Sequence, residues 1–212
     1  MLDIAQDARF WDRIARKYAA DPIRDEGGYE RTLARTQALL APGDHVLEFA
    51  CGTGTTALRL APSVARYVAT DISPEMIAIA REKAGVGAAP GLEFAVGTPE
   101  DGVFPDESFD AVLGFNALHL IRTRAASLAG LRRMLKPGGL LVTKTPCLSE
   151  MNPLIRLAVP LMQLIGKAPY VAFFSAGELE RAIAEAGFTI IARERHATKG
   201  RDVRPFLVAR KV

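Results

Sequence analysis

The stretch that most restricts the fold runs from His45 to Ala61. An apolar run, "HVLEFA", opens into the small-residue loop "CGTG" and continues as the helical "TTALRLA". The short apolar run reads as a strand, and glycines allow the tight turn into the helix that follows. Strand, glycine loop and helix in that order belong to α/β sheets that bind ligands beside the loop. Gly52-x-Gly54-x-x-Ala57 also fits the dinucleotide fingerprint, in which bare amides at a helix N-terminus take a pyrophosphate. Glu48, just ahead of the loop, argues for a different ligand. A carboxylate there opposes phosphate and suits an ammonium or sulfonium charge.

The rest of the chain repeats the alternation. "RYVATDI" (66–72) reads as a second strand. Ser73-Pro74-Glu75 then opens a helix with an N-cap, a proline at the first helical position and an acid in the first turn. "LEFAVG" (92–97) and "FDAVLGF" (109–115) are strands three and four. A helix over 123–135 carries Leu128, Leu131 and Leu135 on one face, "LKPGG" stops it, and "LLVTKTP" is strand five. Ser175 with Glu178 forms a capping-box pattern, and "FTIIARE" and "RPFLVARK" are the last strands. Apolar strands alternating with helices imply a parallel sheet covered on both faces, an α/β fold. Right-handed crossovers put the loops after strands one, two and four on one edge. Ala50–Thr55, Asp71–Ser73, residues 97–101 and Asn116–His119 are therefore expected to converge. Asp71, 19 residues after Gly52 at the end of a strand, can accept both hydroxyls of a ribose under either reading of the loop.

Two segments stand outside the alternation. Residues 3–20 read as a helix with apolar Ile4, Phe10, Trp11, Ile14 and Tyr18, and 150–174 is an apolar insertion. Both can cover the ligand edge or simply pack as amphipathic segments. The expected organisation is one domain over 1–212, with 1–27 as an N-terminal lid and 150–174 as a substrate cover. The N-terminus is acidic and mixed rather than a secretory signal, and no run of 18 apolar residues occurs. A cytoplasmic protein is expected, with Cys51 and Cys147 as free thiols. Residues 188–212 carry seven basic side chains against two acids, a local +5. An exposed edge strand accounts for that charge, as does contact with an anionic surface.

Four stretches in order, "VLEFACGTGTTALRLA", "VATDISPEMIAIAREKA", "FPDESFDAVLGFNALHLI" and "LRRMLKPGGLLV", resemble the class I S-adenosylmethionine-dependent methyltransferases. Within them the chain is similar to the small family related to the ubiquinone/menaquinone methyltransferases. The resemblance covers about 46–142. It implies a three-layer Rossmann-like sheet of seven strands in the order 3-2-1-4-5-7-6, the last antiparallel. It implies S-adenosylmethionine as cofactor, with Glu48, Ala50, Cys51, Gly52 and Gly54 at its methionine part and Asp71 at the ribose. Ile72 and Met76 would pack on adenine, Thr98, Pro99 and Glu100 would meet its edge, and Asn116 would lie under the sulfonium. Tyr18 on the lid would touch the cofactor.

Two departures from the family pattern stand out. Ala50 replaces the first loop glycine, so the backbone there must suit an L-residue or the methyl group must be tolerated beside the ligand. "GTPED" replaces Gly-Asp-Ala-Glu. Thr98 is a weaker acceptor than a carboxylate and Pro99 has no N–H, so adenine recognition is expected to be weaker. His119, in "NALH", is the candidate catalytic base or substrate-shaping group. His45 lies at the opposite end of the sheet, and His196 has no clear partner. "NALH" offers no aromatic for stacking a flipped base, which argues against nucleic acid. The apolar insertion favours a small hydrophobic acceptor, with a peripheral membrane contact as a variant. No metal site is expected. The rival readings are a nicotinamide-dependent oxidoreductase and a non-catalytic adenosine-binding module.

Overall fold

The computed structural model describes residues 2–212, with side chains from Ile4 onward. Helix α1 (Leu2–Ala20) and helix α2 (Glu26–Gln37) precede strand β1 (His45–Phe49). There follow α3 (Thr55–Leu60), β2 (Arg66–Asp71), α4 (Pro74–Ala84), β3 (Leu92–Val96), β4 (Phe109–Phe115) and α5 (Arg124–Met134). The chain ends with β5 (Leu135–Lys144), α6 (Ile155–Leu164), α7 (Ala176–Glu185), β6 (Phe188–Glu194) and β7 (Phe206–Lys211). The sheet order is β3-β2-β1-β4-β5-β7-β6. Strands β1 to β5 are mutually parallel, and β7 runs antiparallel to both β5 and β6. The expected order and the antiparallel last strand are both present.

Alternation along each strand divides the core between two faces. Leu47, Phe49, Val112, Leu141 and Leu207 pack with Leu128 and Leu131 of α5 and with Leu179 and Ile183 of α7. Val46, Tyr67, Ala69, Leu113 and Val208 pack on the other face with α2, α3 and α4. A third cluster joins Trp11, Ala15 and Ala19 of α1 to Met76 and Ile79 of α4. Helix α1 is therefore a packed element and carries its own apolar contact.

Local chemistry explains the boundaries. The Ser73 side chain accepts from the Met76 amide, with Pro74 at the first helical position. Ser175 and Glu178 form the full reciprocal capping box. Strand β1 stops at Phe49 because Ala50 turns to φ +51°. One expectation needs correction. "LKPGG" does not separate helix from strand; β5 already begins at Leu135, which pairs with Phe109, and the register shifts before Ala111 pairs with Leu140. The positive φ of Gly138 sits inside that irregular stretch.

Gly114 of β4 sets how closely the sheet meets Phe49. A Cβ there would lie 2.1 Å from the Phe49 ring, which is 1% exposed. The ring cannot swing away without opening the core ahead of Ala50. Gly114→Ala is expected to destabilise the fold by about 2 kcal/mol, read as a lower urea midpoint with an unchanged m-value.

Candidate functional site

The carboxyl ends of the parallel strands gather the expected loops. From β1, Ala50, Gly52 and Gly54 all take positive φ, at +51°, +56° and +73°. Ala50 thus resolves as an L-residue in the left-handed region, at a cost on the order of 1 kcal/mol that a glycine would avoid. The Cys51 amide donates to the Thr70 carbonyl, tying the loop to β2. A Cβ on Gly54 would meet Phe94 and Ala80 within 2.9 Å, so only glycine lets α3 start this close to the sheet.

Asp71 organises the junction between the β1 and β2 loops. One carboxylate oxygen accepts from the Gly52 amide and the other from the Ser73 amide, both at 2.9 Å. Burial raises its pKa, and the two amides oppose that shift. Each oxygen keeps a free lone-pair direction for a further donor.

Glu48 is 3% exposed and accepts from the Tyr67 hydroxyl at 2.9 Å. Burial pushes its carboxyl up to about 8, the Tyr67 hydrogen bond opposes this, and the Asp71 charge adds to the rise. Cys51, unpaired, is also shifted well upward, by burial and then by Glu48 and Asp71. Tyr18 of α1 lies over the loop, and its ring carbon would be 3.6 Å from a Cβ on Gly52. Burial, then Asp71 and Glu48, raise the Tyr18 phenol. The centre of this edge is acidic, buried and partly roofed by a tyrosine.

Helix α1 is strapped across the edge. Asp12 accepts from the Ser73 hydroxyl, Arg16 makes two bonds to Glu82, and Asp7 takes two from Arg122 beyond β4. Arg13 donates to the Gly166 carbonyl of the insertion. Met76 is 2% exposed and in contact with α1, while Ile72 is half-buried beside Asp71.

The 98–100 stretch turns out to be tied to its surroundings through unexpected groups. The Thr98 amide donates to Asp101 at 2.7 Å. The Glu100 carboxylate accepts from Thr123 and Ser127 at the start of α5. The Pro99 carbonyl would clash with any side chain at Gly130, so Gly130 lets α5 press on the loop. The Thr98 hydroxyl is buried and has no hydrogen-bond partner among the described residues. An orphan of this kind calls for a polar partner from outside the protein.

Asn116 follows β4 in the left-handed region, φ +53°, with its amide donating to the Lys144 carbonyl and its side chain exposed. His119 follows in a short 3-10 turn (Leu118–Leu120). Its Nδ1 lies 3.0 Å from the Thr145 hydroxyl, and burial lowers its pKa to about 4. The ring is therefore neutral at physiological pH and a weak base. Cys147 is buried with its thiol pushed up to about 12 by burial, an unreactive state. His45 is exposed at the amino end of the sheet.

Sequence reasoning missed the partners of His196. It is 6% exposed, 3.0 Å from the Thr32 hydroxyl and 3.1 Å from Glu194, and stacked near Phe206. Lys144, 7% exposed at the end of β5, donates to the same Thr32 hydroxyl. This network joins α2 to the sheet through residues 112 and 164 apart in sequence, a separation that leaves no local signal. Five of the seven basic residues in 188–212 also have internal partners: Arg193, Arg195, Arg201, Arg204 and Lys211. Arg193 lies on the edge strand β6 and Arg195, Lys199, Arg201 and Arg204 in the loop after it, while Arg210 and Lys211 lie on the interior strand β7.

Comparison with known proteins agrees with this geometry. Residues 46–139 match the methyltransferase domain family. Over those residues the chain is similar to that methyltransferase domain. The demethylmenaquinone methyltransferase of Symbiobacterium thermophilum is 32% identical over 155 residues, which are 69% of this chain and 59% of that protein. The Mycobacterium ulcerans protein named as a probable phthiotriol/phenolphthiotriol dimycocerosates methyltransferase 2 is 40% identical over 113 residues, 52% of this chain and 42% of that one. A candidate methyltransferase from Bacillus halodurans has a solved structure with a TM-score of 0.66 and 25% identity, covering 76% of this chain and 71% of its own. The chain thus spans roughly half the length of these curated relatives.

The implied cofactor is S-adenosylmethionine, and the residues present fit it. Two buried carboxylates suit a ligand bearing cationic groups, and the orphaned Thr98 hydroxyl suits a polar ring edge. No cluster of metal-binding side chains occurs among the described residues.

The raised Glu48 pKa has a signed consequence. The folded state keeps the proton up to about pH 8, whereas the unfolded carboxyl releases it near 4.5. Stability from this group is therefore full below pH 4.5 and declines as pH rises toward 8. Glu48→Gln cannot titrate. Its melting temperature relative to wild type should rise by a few degrees between pH 5 and pH 8, read by calorimetry without ligand.

Proposed function

We propose that the chain is an enzyme that uses S-adenosylmethionine to methylate a small hydrophobic acceptor. The observation that carries this is the pair of buried carboxylates, Glu48 and Asp71, flanking a glycine loop at the carboxyl edge of the sheet. A pyrophosphate would meet Glu48 there, which disfavours the nicotinamide reading, while Asp71 suits the ribose of either ligand. Bound S-adenosylmethionine supplies an electrophilic methyl group on a positively charged sulfur. The protein's task is then approach geometry and a matched field.

In this reading Glu48 gives up its proton to face the cationic methionine part, while Ala50, Cys51, Gly52 and Gly54 present backbone to it. Asp71, already oriented by the Gly52 and Ser73 amides, accepts the ribose hydroxyls. Ile72 and Met76 border the adenine, with Met76 shared with α1. Thr98 offers its free hydroxyl to the adenine edge, Pro99 offers no donor, and Glu100 acts through its backbone because its side chain is bound to α5. Tyr18 closes over the methionine part. Asn116 lies beneath the sulfonium. His119, neutral and held by Thr145, accepts a hydrogen bond from the acceptor and aims it rather than removing its proton in full. The names of the relatives support a hydrophobic acceptor, since they concern a quinone and complex lipids. The whole chain works as one methyltransferase unit, with α1 as lid and 150–174 beside the acceptor. The unpaired cysteines agree with a reducing cytoplasm.

Titration calorimetry with S-adenosylmethionine, its demethylated product and NAD tests the ligand. Binding of the first two without NAD is expected; tight NAD binding alone would sink the reading. At pH 7, binding should release a proton in wild type and none in Glu48→Gln, read from the dependence of the heat on buffer ionisation. Thr98→Asp should tighten cofactor binding about tenfold, as one charge-assisted hydrogen bond implies. Transfer of labelled methyl groups to a cell extract, with identification of the product, tests catalysis. His119→Gln should lower kcat/KM for that product about 100-fold while leaving cofactor affinity unchanged.

A further inference from the structure

Helix α6 is inverted relative to the rest of the molecule. None of its residues is buried. Leu154, Leu157, Leu161, Met162, Leu164 and Ile165 are 67%, 75%, 64%, 42%, 84% and 61% exposed. Leu157, Leu161 and Leu164 follow the i, i+4, i+7 spacing of one helical face. Ile155, Val159 and Gln163, at i, i+4 and i+8, form a half-buried stripe. The helix rests on that stripe and turns its leucines outward. Scattered apolar residues on a surface need no explanation, whereas a contiguous leucine face does.

The charge around this face has one sign. No Asp or Glu occurs from Met151 to Phe174, while Arg156 sits in the first turn of the helix and Lys167 follows its end. Arg13 of α1 adds a third cation, held on the Gly166 carbonyl. Ten residues of helix are about 15 Å long, too short to cross a bilayer. No helix among the described residues is long and apolar enough to span one. An apolar face rimmed by cations suits a helix lying in the plane of a lipid surface.

We propose that α6 docks the protein on an anionic lipid bilayer, with Leu157, Leu161 and Leu164 inserted among the acyl chains and Arg156, Lys167 and Arg13 at the headgroups. The same segment is linked through Arg13 to α1, whose Tyr18 lies over Gly52. Docking therefore seats on the lipid the segment that is tied to this helix. Surface binding stands without any assumption about catalysis. The corollary, that the methyl acceptor is an amphiphile dissolved in the bilayer, rests on the methyl-transfer reading.

The test is co-sedimentation of the full chain, without cofactor, with vesicles of phosphatidylcholine alone or mixed with phosphatidylglycerol at roughly 30%. Wild type is expected to bind the mixed vesicles about tenfold more tightly than the neutral ones, with the difference shrinking at high salt. Leu157→Glu/Leu161→Glu should lose most binding to both. These side chains already face solvent, so folding is preserved, and an unchanged melting temperature checks that. Arg156→Glu/Lys167→Glu should lose the preference for anionic vesicles. Wild type remaining in the supernatant with mixed vesicles overturns the proposal. So does a leucine double variant that binds like wild type. So does a wild-type dimer that the double variant splits while vesicle binding is absent, since a second copy would then be the occupant. Vesicle binding without methyl transfer would leave the docking intact and remove only the corollary.

Discussion

Everything at the ligand edge depends on Asp71 holding the amide of Gly52. The bond spans the gap between the first two strands where their loops leave the sheet. Its other oxygen caps the turn into α4 through Ser73, and Ser73 in turn binds Asp12 of the N-terminal helix. One carboxylate thus positions the glycine loop, the next helix and, at one remove, the lid. A carboxylate satisfied by two backbone amides tolerates burial far better than an unpaired one. The loop is rigid before any ligand arrives, which lowers the ordering cost of binding.

Glu48 plays the opposite part. It has one side-chain donor, Tyr67, and no cation among its hydrogen-bond partners in the described residues. In a dry pocket beside Asp71 it stays protonated, at the expense of the field it would otherwise exert. A cationic ligand makes the ionised form favourable, so recognition and ionisation become one event. A neutral ligand of the same shape gains less from the site, which makes charge the basis of selectivity.

Much of this was legible in the chain because it is written in local chemistry. Ser73-Pro74-Glu75, Ser175 with Glu178, and the glycines of the first loop each specify a turn or a cap within four residues. Sheet order was legible only through resemblance, since alternation implies a parallel sheet without ordering its strands. Three features resisted. "LKPGG" carries helix-stopping residues, yet pairing with β4 draws it into a strand, a tertiary override of local signals. The ties of Glu100 to Thr123 and Ser127, and of His196 to Thr32, join residues remote in sequence. The state of His119 follows from burial, which no motif reports.

The departures at Ala50 and Thr98 bear on each other. Ala50 strains the loop that the proposed reading assigns to the methionine part, and Thr98 weakens the edge that it assigns to adenine. Both lower the affinity available from the cofactor's own contacts. In the proposed reading helix α1, as a lid, compensates through covering rather than new donors. Tyr18 over Gly52, together with Asp12, Arg16 and Asp7 along α1, encloses the site by ion pairs and hydrogen bonds formed outside it. Exposed ion pairs of this kind are individually weak, so the lid is fastened at several points and can be released at each. Helix α1 is tied through Arg13 to the insertion that carries the exposed leucines. If the proposed reading holds, whatever seats that insertion acts on cofactor exchange through this physical linkage rather than through the reacting atoms.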